Sequence, residues 1–212
     1  SIGDYYWNET RDTATNSLNN WVTADLNAYL NNDYYNMLSA NVKNMIGTAK
    51  YYLGGYINSR MTTDVMWQYE RKKANGSNCV YDSSVDYYKG ECYFYQVNSI
   101  MQNDTSKKIA IMYASDYGYG ASKECTSNLF NYNGSANCKT TNNWLDKSQN
   151  TWLLPQYSAT ASEGFLVSNN SVGGNQVNDI PATVHPVLSL SSNVKISGGE
   201  GTSGSPYQLS IS

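Results

Sequence analysis

Four cysteines are the residues whose type and spacing point most clearly to chemistry. Twelve residues separate Cys79 from Cys92, and the same number separate Cys125 from Cys138. Four cysteines allow three pairings, and we favour Cys79–Cys92 and Cys125–Cys138 because each bridge would close a polar, glycine-containing loop. Closing such a loop removes unfolded-state entropy worth about 3 kcal/mol in the chain-entropy model. Because disulfides persist in oxidising compartments, the spacing predicts an extracellular or periplasm-like location.

Metal binding is not predicted from these cysteines. The chain has no Cys-x-x-Cys pair and only one histidine, His185, so a tetrahedral zinc site lacks a compact pair of ligands. Calcium needs six to eight oxygen ligands, and no cluster of acidic residues offers them. We therefore expect no metal and no cofactor.

Catalytic chemistry is also not predicted. Nucleophilic catalysis would have to use His185 as its base, and this residue precedes Pro186 in an alternating run typical of a strand. A structural or surface role therefore fits His185 better than a catalytic one. The acids that could form a hydrolytic pair lack a common flanking pattern. They are Asp116, Asp146, Glu163 and Asp179. We expect the chain not to be an enzyme.

The polar surface of the chain is built from uncharged residues. Only 15% of residues are charged, the net charge is −3, and the sequence contains 20 tyrosines and 27 asparagines. Without a basic patch, nucleic acid and anionic membrane are poor partners. The longest apolar runs fall far short of the ~20 residues that cross a bilayer. We expect no direct membrane insertion in this segment. Because the chain begins at Ser1, we interpret it as a mature form or an excised ectodomain.

Aromatic and amide side chains in the predicted loops are the candidate binding residues. Tyrosine and tryptophan give large contact areas at low entropic cost, and asparagine gives adaptable hydrogen bonds. We expect the tip at residues 117–119 to be exposed, whereas a core position for Trp144 and Trp152 remains an open alternative. The predicted ligand-binding residues are Tyr117, Tyr119, Tyr132, Asn142, Asn143, Trp144, Trp152 and Tyr157.

The elements that must position these residues follow from hydrophobic periodicity. Residues 17–38 have a 3.6-residue rhythm with a possible break near 31–33, and Ser39 resembles the N-cap of a second helix over 41–46. Residues 61–71 fit either a short helix or a loop. Strands are predicted at 108–113, 152–154, 164–167, 184–190, 194–196 and 207–211, with turns at Gly173-Gly174 and Gly198-Gly199. Helices followed by several short strands predict an α+β fold.

Several stretches in a shared order resemble a family of surface domains from gut Firmicutes. The helix pattern Ser17-Leu18, Tyr29-Leu30-Asn31 and Tyr34-Tyr35 is similar to theirs. Further similar stretches are residues 109–119, Asn143-Trp144-Leu145, residues 152–155, Gly173-Gly174, residues 184–190 and the glycine-rich tail at 196–209. Relatives usually have arginine where this chain has His185.

The resemblance implies a fold and a function. The expected fold is C-type-lectin-like, similar also to sulfatase-modifying factors: two N-terminal helices, then a small mixed or antiparallel sheet with long disulfide-bridged loops. We expect one extracellular domain over 1–212, with a leading segment at 1–16 and a C-terminal glycine-rich strand tail at 191–212.

The expected role is adhesin-like. Relatives often follow a prepilin-type helix, so the domain would be displayed on a cell surface or a type IV pilus-like filament. It would bind a protein or glycan on another cell or host surface, and filament subunits are further possible partners. A variable protein of a diversity-generating retroelement is a subsidiary hypothesis. The alternative is a structural pilin-like filament subunit without a ligand.

Overall fold

The fold is mixed α+β, as the order of the predicted elements indicated. The computed structural model describes residues 1–9, 21, 24–49, 51, 60–71, 80–82, 87–89, 108–139, 143, 145, 149–156 and 163–212. The helices are α1 (Asp25–Tyr29), α2 (Tyr35–Met37), α3 (Ala40–Met45), α4 (Thr63–Arg71) and α5 (Ala114–Tyr119). A π-helical turn (Leu30–Tyr34) joins α1 to α2, and a 3₁₀ helix (Leu129–Gly134) follows α5.

The strands form one five-stranded sheet and three two-stranded pairings. The strands are β1 (Asp4–Tyr5), β2 (Val80–Asp82), β3 (Tyr87–Lys89), β4 (Ile109–Ile111), β5 (Thr151–Gln156), β6 (Glu163–Ser168), β7 (Ser171–Gln176), β8 (Ala182–Thr183), β9 (Pro186–Leu188), β10 (Val194–Gly198) and β11 (Gln208–Ile211). The large sheet has the order β1-β8-β5-β6-β7. Its pairings are antiparallel except between β5 and β8, which are parallel. The small sheets pair β2 with β3, β4 with β9, and β10 with β11.

The central strands are buried on both faces. In β5, Trp152 and Leu154 pack into one core cluster, while Leu153 packs into the other. In β6, Leu166 faces the first cluster, and Phe165 and Val167 face the second. Burial on both faces explains why the sequences of these strands contain continuous apolar runs and not an alternation of apolar and polar residues.

The leading segment contributes to the sheet and to the core. Asp4 and Tyr5 pair with Thr183 and Ala182, which places β1 at the sheet edge. Trp7 is fully buried, and its indole N–H donates to the Leu153 carbonyl at 3.2 Å. The described part of the segment at 1–16 is therefore structural.

The predicted break near residues 31–33 coincides with the π-helical turn, where Asn31 anchors β4. The Asn31 amide group donates to the Ile109 carbonyl at 2.8 Å. Its side-chain oxygen accepts from the backbone N–H groups of Lys108 and Ile109 at 2.8 and 3.0 Å. One side chain thus supplies the β4 backbone with three hydrogen bonds that a sheet neighbour would otherwise supply.

The second predicted helix is confirmed, with its cap. The Ser39 hydroxyl accepts from the Val42 N–H at the start of α3. The helix ends at Met45, and Ile46 then forms an isolated antiparallel bridge with Leu190. Residues 61–71, which fitted either a helix or a loop, contain α4.

The turn predicted at Gly173-Gly174 is wrong. Both glycines lie within β7, where Gly173 pairs with Leu166 and Gly174 pairs with Phe165. The chain reverses instead at Asn169 and Asn170, whose φ angles are 49° and 60°. A two-residue hairpin turn of type I′ needs positive φ at both central residues, and asparagine tolerates this conformation. Of the turn predicted at Gly198-Gly199, Gly198 is the last residue of β10 and pairs with Gln208, and Gly199 begins the connection to β11.

Candidate functional site

A surface cleft of about 510 Å³ lies where α4, α5 and the loop at residues 121–127 meet. The N-terminal end of α4 forms one side, the C-terminal end of α5 forms a second, and the loop forms the third. Small hydroxyl side chains dominate its wall, together with one aromatic ring. The lining residues are Thr62, Thr63, Asp64, Gly118, Tyr119, Ala121, Ser122, Lys123, Cys125, Thr126 and Ser127. We call this surface the Tyr119 cleft.

Carboxylates fix the helix α5 behind the cleft. The carboxylate of Asp116 accepts from the Tyr113 N–H at 3.0 Å, and the buried Glu70 of α4 accepts from the Ser115 N–H at 3.0 Å. Both bonds satisfy N–H groups at the start of α5 that have no partner within the helix. Because Glu70 belongs to α4, its bond also ties the two helices together.

Gly118 allows α4 and α5 to approach closely. A Cβ atom added to Gly118 would lie 2.3 Å from Oγ1 of Thr63 and 2.9 Å from Cδ2 of Leu129. The Thr63 hydroxyl lies 2.7 Å from the Tyr132 hydroxyl, which itself donates to the Gly118 carbonyl at 3.3 Å. Burial raises the pKa of Tyr132 above its ordinary value. Through these hydrogen bonds Tyr132 links Thr63 of α4 to Gly118 of α5, and both of these residues line the cleft.

Tyr119 is the aromatic residue exposed in the cleft. Its side chain is 53% exposed, and its hydroxyl donates to Oδ1 of Asp64 at 2.8 Å. This bond spans from the end of α5 to the first turn of α4, so it fixes the position of the phenol ring. An aromatic ring held in this way can stack on a ligand. The carboxylate beside it can accept hydrogen bonds from the same ligand.

A disulfide holds the third side of the cleft. The bridge Cys125–Cys138 is present, as predicted, with a Cα–Cα distance of 5.0 Å. Cys138 is buried in the core, whereas Cys125 lines the cleft. The bridge therefore ties the loop to the core. Between the two cysteines, Asn128 caps the 3₁₀ helix, since its side-chain oxygen accepts a hydrogen bond from the Asn131 N–H at 2.9 Å.

The rim of the cleft carries a pair of opposite charges. The side chains of Lys123 and Glu124 are exposed, and Nζ of Lys123 lies 3.7 Å from Oε1 of Glu124. A hydrogen bond from the Ser122 hydroxyl lowers the pKa of Glu124 below its ordinary value. Exposed pairs of this kind contribute little to stability, but they leave the rim without a strong excess of either charge.

Four of the predicted ligand-binding residues lie in the interior instead of lining a binding surface. Tyr117 stacks against Tyr132 with ring centroids 6.0 Å apart, and both are buried. Asn143 is buried and donates to the Tyr117 carbonyl at 2.9 Å. Trp152 is fully buried, and its indole N–H donates to the Tyr5 carbonyl at 2.8 Å. Since none of these side chains reaches solvent, their assignment to ligand contact is corrected to a structural one.

The remaining predicted positions divide into one within the cleft and several outside the described residues. Tyr119 lines the cleft. Asn142, Trp144, Tyr157, Cys79 and Cys92 lie outside the described residues. The sequence did not single out Asp64, Thr62 or Thr63, because residues 61–71 fitted a helix or a loop equally well and no pattern placed their N-terminal end beside residue 119.

A second groove, of about 300 Å³, lies beside β7. It is more apolar, and its lining includes Phe130, Leu166, Val172 and Ile180. The guanidinium group of Arg60 lies 5.1 Å from the centroid of the Phe130 ring. The lining of this groove includes the hydroxyl groups of Ser168 and Ser171 but no carboxylate, so it is the weaker candidate.

Two searches within the described residues give negative findings. No group of three or more His, Cys, Asp or Glu side chains there is placed to hold a metal ion. No helix in the same part of the chain has the length and apolar character to cross a membrane.

No family model, curated protein or solved structure matches this chain.

Proposed function

We propose that the chain is an extracellular, adhesin-like domain that binds a protein or glycan ligand through the Tyr119 cleft. The observation that carries the proposal is the exposed phenol ring of Tyr119, held by Asp64 across a cleft of about 510 Å³. Tyrosine occurs both in cores and on surfaces, and an exposed tyrosine ring that is held in place offers a large contact area at low entropic cost. Here the ring is exposed and fixed by a hydrogen bond, which is typical of a binding surface.

The chemistry of the cleft favours recognition by contact rather than catalysis. Its wall offers hydroxyl groups from threonine and serine, one carboxylate and one aromatic ring. Such groups supply adaptable hydrogen bonds and a stacking surface. The wall has no histidine that could act as a general base and no unpaired cysteine that could act as a nucleophile. We therefore place this domain among binding proteins and not among enzymes.

Location outside the cell is part of the same proposal. The Cys125–Cys138 bridge supports it, because structural disulfides are rare in reducing compartments. A C-type-lectin-like core is the proposed finer description of the α+β fold, supported by helices that precede a small mixed sheet and by a loop closed with a disulfide. Display on a cell surface or on a type IV pilus-like filament follows from the resemblance to surface domains of gut Firmicutes.

The test is an array of glycans and extracellular proteins probed with the wild-type domain and with Tyr119→Ala. We expect a ligand whose binding falls at least tenfold in Tyr119→Ala while the folded state is retained. Tyr207→Ala is the matched control, because Tyr207 is 56% exposed and lies outside the cleft. A ligand that binds Tyr119→Ala as tightly as wild type would place the site elsewhere.

Asp64→Asn is a second variant that separates positioning from contact. The asparagine can still accept a hydrogen bond from Tyr119, so the ring should stay in place while the charge is lost. Unchanged binding would show that Asp64 only positions Tyr119, and weaker binding would show that its charge contacts the ligand. Either result is compatible with the cleft, whereas insensitivity to both Asp64→Asn and Tyr119→Ala contradicts it.

A structural filament subunit without a ligand is the second candidate. The observation that favours it is the exposed apolar surface of β10 and β11 near the C-terminus, where Ile196 and Ile211 face solvent. A prepilin cleavage site and an apolar helix encoded upstream would support attachment to a filament. High abundance in isolated filaments would identify a major subunit.

The retroelement hypothesis concerns how the ligand would vary. It predicts a near-identical template repeat and a reverse transcriptase gene beside the coding sequence. Their absence from the genomic neighbourhood would end this hypothesis without affecting the cleft.

A further inference from the structure

Two side chains from distant parts of the chain converge on the hydroxyl group of Thr183. This residue lies in β8, directly opposite Asp4 of the antiparallel strand β1. Its hydroxyl donates to Oδ1 of Asp4 at 2.7 Å, and the same Oγ1 lies 3.4 Å from Oε1 of Gln149. A hydroxyl, a carboxylate and a primary amide therefore meet at one point, which we call the Thr183 site.

The backbone around the Thr183 site fixes the position of the hydroxyl. The N–H of Thr183 donates to the Asn150 carbonyl at 2.8 Å, and the N–H of Val184 donates to the Gly3 carbonyl at 3.0 Å. These bonds hold β8 between β1 and the start of β5. Thr183 is buried, whereas Asp4 and Gln149 are exposed, so a small product released at the site can leave into solvent.

Each of the three groups has a role that acyl transfer needs. A threonine hydroxyl becomes a nucleophile when an adjacent base accepts its proton, and Asp4 accepts the hydrogen bond from this hydroxyl. The Gln149 amide supplies the acyl carbon, which is bonded to the oxygen that lies 3.4 Å from Oγ1. Reacting atoms in a near-attack geometry are about 3–3.5 Å apart. Rotation of the exposed Gln149 side chain can bring its carbonyl carbon to that distance from Oγ1.

We propose that Thr183 and Gln149 form an intramolecular ester bond, with Asp4 as the general base and acid. Oγ1 of Thr183 bonds to Cδ of Gln149, and its proton passes to Oδ1 of Asp4. The Cδ–Nε2 bond then breaks, and the nitrogen takes the proton from Asp4 and leaves as ammonia. A hydroxyl and a primary amide thus become an ester and ammonia, with no oxidant, reductant or further reactant. The reaction occurs once per chain, so the chain modifies itself and turns over no substrate.

The position of the ester determines its effect on the fold. Strand β8 has only two residues, and a single ladder pair, Thr151 with Thr183, joins it to β5. The ester would add a covalent bond beside this pair, between residues 34 positions apart in the chain. Closing a loop of this kind restricts the unfolded chain, as a disulfide does. The midpoint of urea unfolding should therefore be higher in chains that carry the ester than in chains that lack it.

Mass spectrometry of the intact full chain tests the proposal without any variant. We expect the main species to be about 17 Da lighter than the sequence with its disulfides, because nucleophilic displacement of the amide releases one ammonia. Cleavage of the chain after Glu163 separates residue 149 from residue 183 when no ester is present. With the ester, the two fragments stay joined after the disulfides are reduced. Hydroxylamine at neutral pH, which cleaves esters and spares ordinary amides, should release them and leave a hydroxamate at residue 149.

Substitutions at the Thr183 site identify the nucleophile. Thr183→Val keeps a β-branched residue that favours strands but removes the hydroxyl, so it should show the full mass. Thr183→Ser restores a hydroxyl and should restore the loss of ammonia. The matched control is Thr151→Val, because Thr151 pairs with Thr183 but its hydroxyl donates to the main-chain carbonyl of Gln149 at 3.2 Å. This control should lose ammonia as the wild type does.

Two further variants identify the acyl group and the base. Gln149→Glu replaces the amide with a carboxylate, which is unreactive at neutral pH, so this variant should show the full mass. Asp4→Asn should form the ester about a hundredfold more slowly or worse, since it removes the general base. Most Asp4→Asn chains should therefore show the full mass when they are isolated at the same time after expression as the wild type.

Three outcomes would overturn the proposal. The first is a wild type that shows the full mass. The second is a loss of ammonia that maps to another position, such as a succinimide at Asn133-Gly134, with the two fragments on either side of Glu163 free of each other. The third is joined fragments that persist in Thr183→Val. None of these results bears on binding at the Tyr119 cleft, so the two proposals succeed or fail separately.

Discussion

Substitution of Gly118 by alanine tests the packing that forms the Tyr119 cleft. The added Cβ would lie 2.3 Å from Oγ1 and 2.7 Å from Cγ2 of Thr63. Both distances are shorter than any relaxed contact, so Thr63 must move. That movement breaks its 2.7 Å hydrogen bond with Tyr132.

The cost follows from two destabilising contributions and one stabilising contribution. Overpacking costs about 1–3 kcal/mol, and loss of a hydrogen bond costs about 1 kcal/mol. Alanine returns up to about 1 kcal/mol through its higher helix propensity than glycine. We therefore expect Gly118→Ala to lower the free energy of unfolding by about 1–3 kcal/mol. In a Thr63→Ala background the two clashing atoms of Thr63 are absent, while Cδ2 of Leu129 at 2.9 Å must still shift, so the same substitution should cost about 1–2 kcal/mol less than in the wild type.

Urea unfolding of the four proteins in this double-mutant cycle measures the coupling directly. We expect a coupling free energy of about 1–2 kcal/mol between residues 118 and 63. Gly134→Ala is the control, since no atom lies within 4 Å of a Cβ built there, and it should change stability by less than about 0.5 kcal/mol. Equal costs of Gly118→Ala in both backgrounds would refute the close approach of α4 and α5.

Three further predictions concern other parts of the fold. A hydrogen bond with Tyr5 raises the pKa of Tyr29 from 10.0 to about 12, so the folded state holds this proton more tightly than the unfolded state. The free energy of unfolding should therefore be constant below about pH 10 and fall as the pH rises towards 12. The midpoint of urea unfolding should fall less over this pH range in Tyr5→Phe than in the wild type. Replacing Cys125 and Cys138 together by alanine should lower the free energy of unfolding by about 3 kcal/mol, and should also weaken ligand binding because the loop of the cleft loses its tie to the core. Asn31→Asp should cost about 2–3 kcal/mol at neutral pH, because a buried strand carbonyl loses its donor and faces a carboxylate, and amide exchange in β4 should become faster.

The strands could be predicted because their burial leaves a simple pattern. Apolar residues fill β4, β5 and β6 continuously, since these strands are covered on both faces. The N-cap at Ser39 and the Cys125–Cys138 bridge could also be predicted, because local hydrogen bonding and short loop closure depend on nearby residues only. The Cys79–Cys92 pairing stays a prediction, which disulfide mapping by mass spectrometry can test.

The turn of the β6–β7 hairpin shows where local signals conflict. The sequence predicted a turn at Gly173-Gly174 from its two glycines, whereas the chain reverses at Asn169-Asn170. Pairing of Gly173 with Leu166 decides the register, because it keeps Phe165 and Val167 in the core. A shift of register would turn these side chains to the other face. The choice therefore depends on tertiary packing that no short window of sequence contains.

The candidate site could be predicted only in part for a similar reason. Aromatic composition alone does not distinguish Tyr117 from Tyr119, yet α5 directs the first into the core and the second towards Asp64. The partner residue lies 55 positions earlier in the chain. Contacts of such separation arise from the fold as a whole, so the sequence alone could not show which tyrosine is exposed beside a carboxylate.

Hydrogen–deuterium exchange in the presence of the strongest array ligand measures most directly whether the cleft is the binding site. Backbone amides at residues 62–64 and 118–127 should exchange more slowly with ligand bound, and Tyr119→Ala should abolish this protection at the same ligand concentration. Protection confined to the groove at Phe130, to the hairpin of β10 and β11, or to any region away from the Tyr119 cleft would contradict the proposed function.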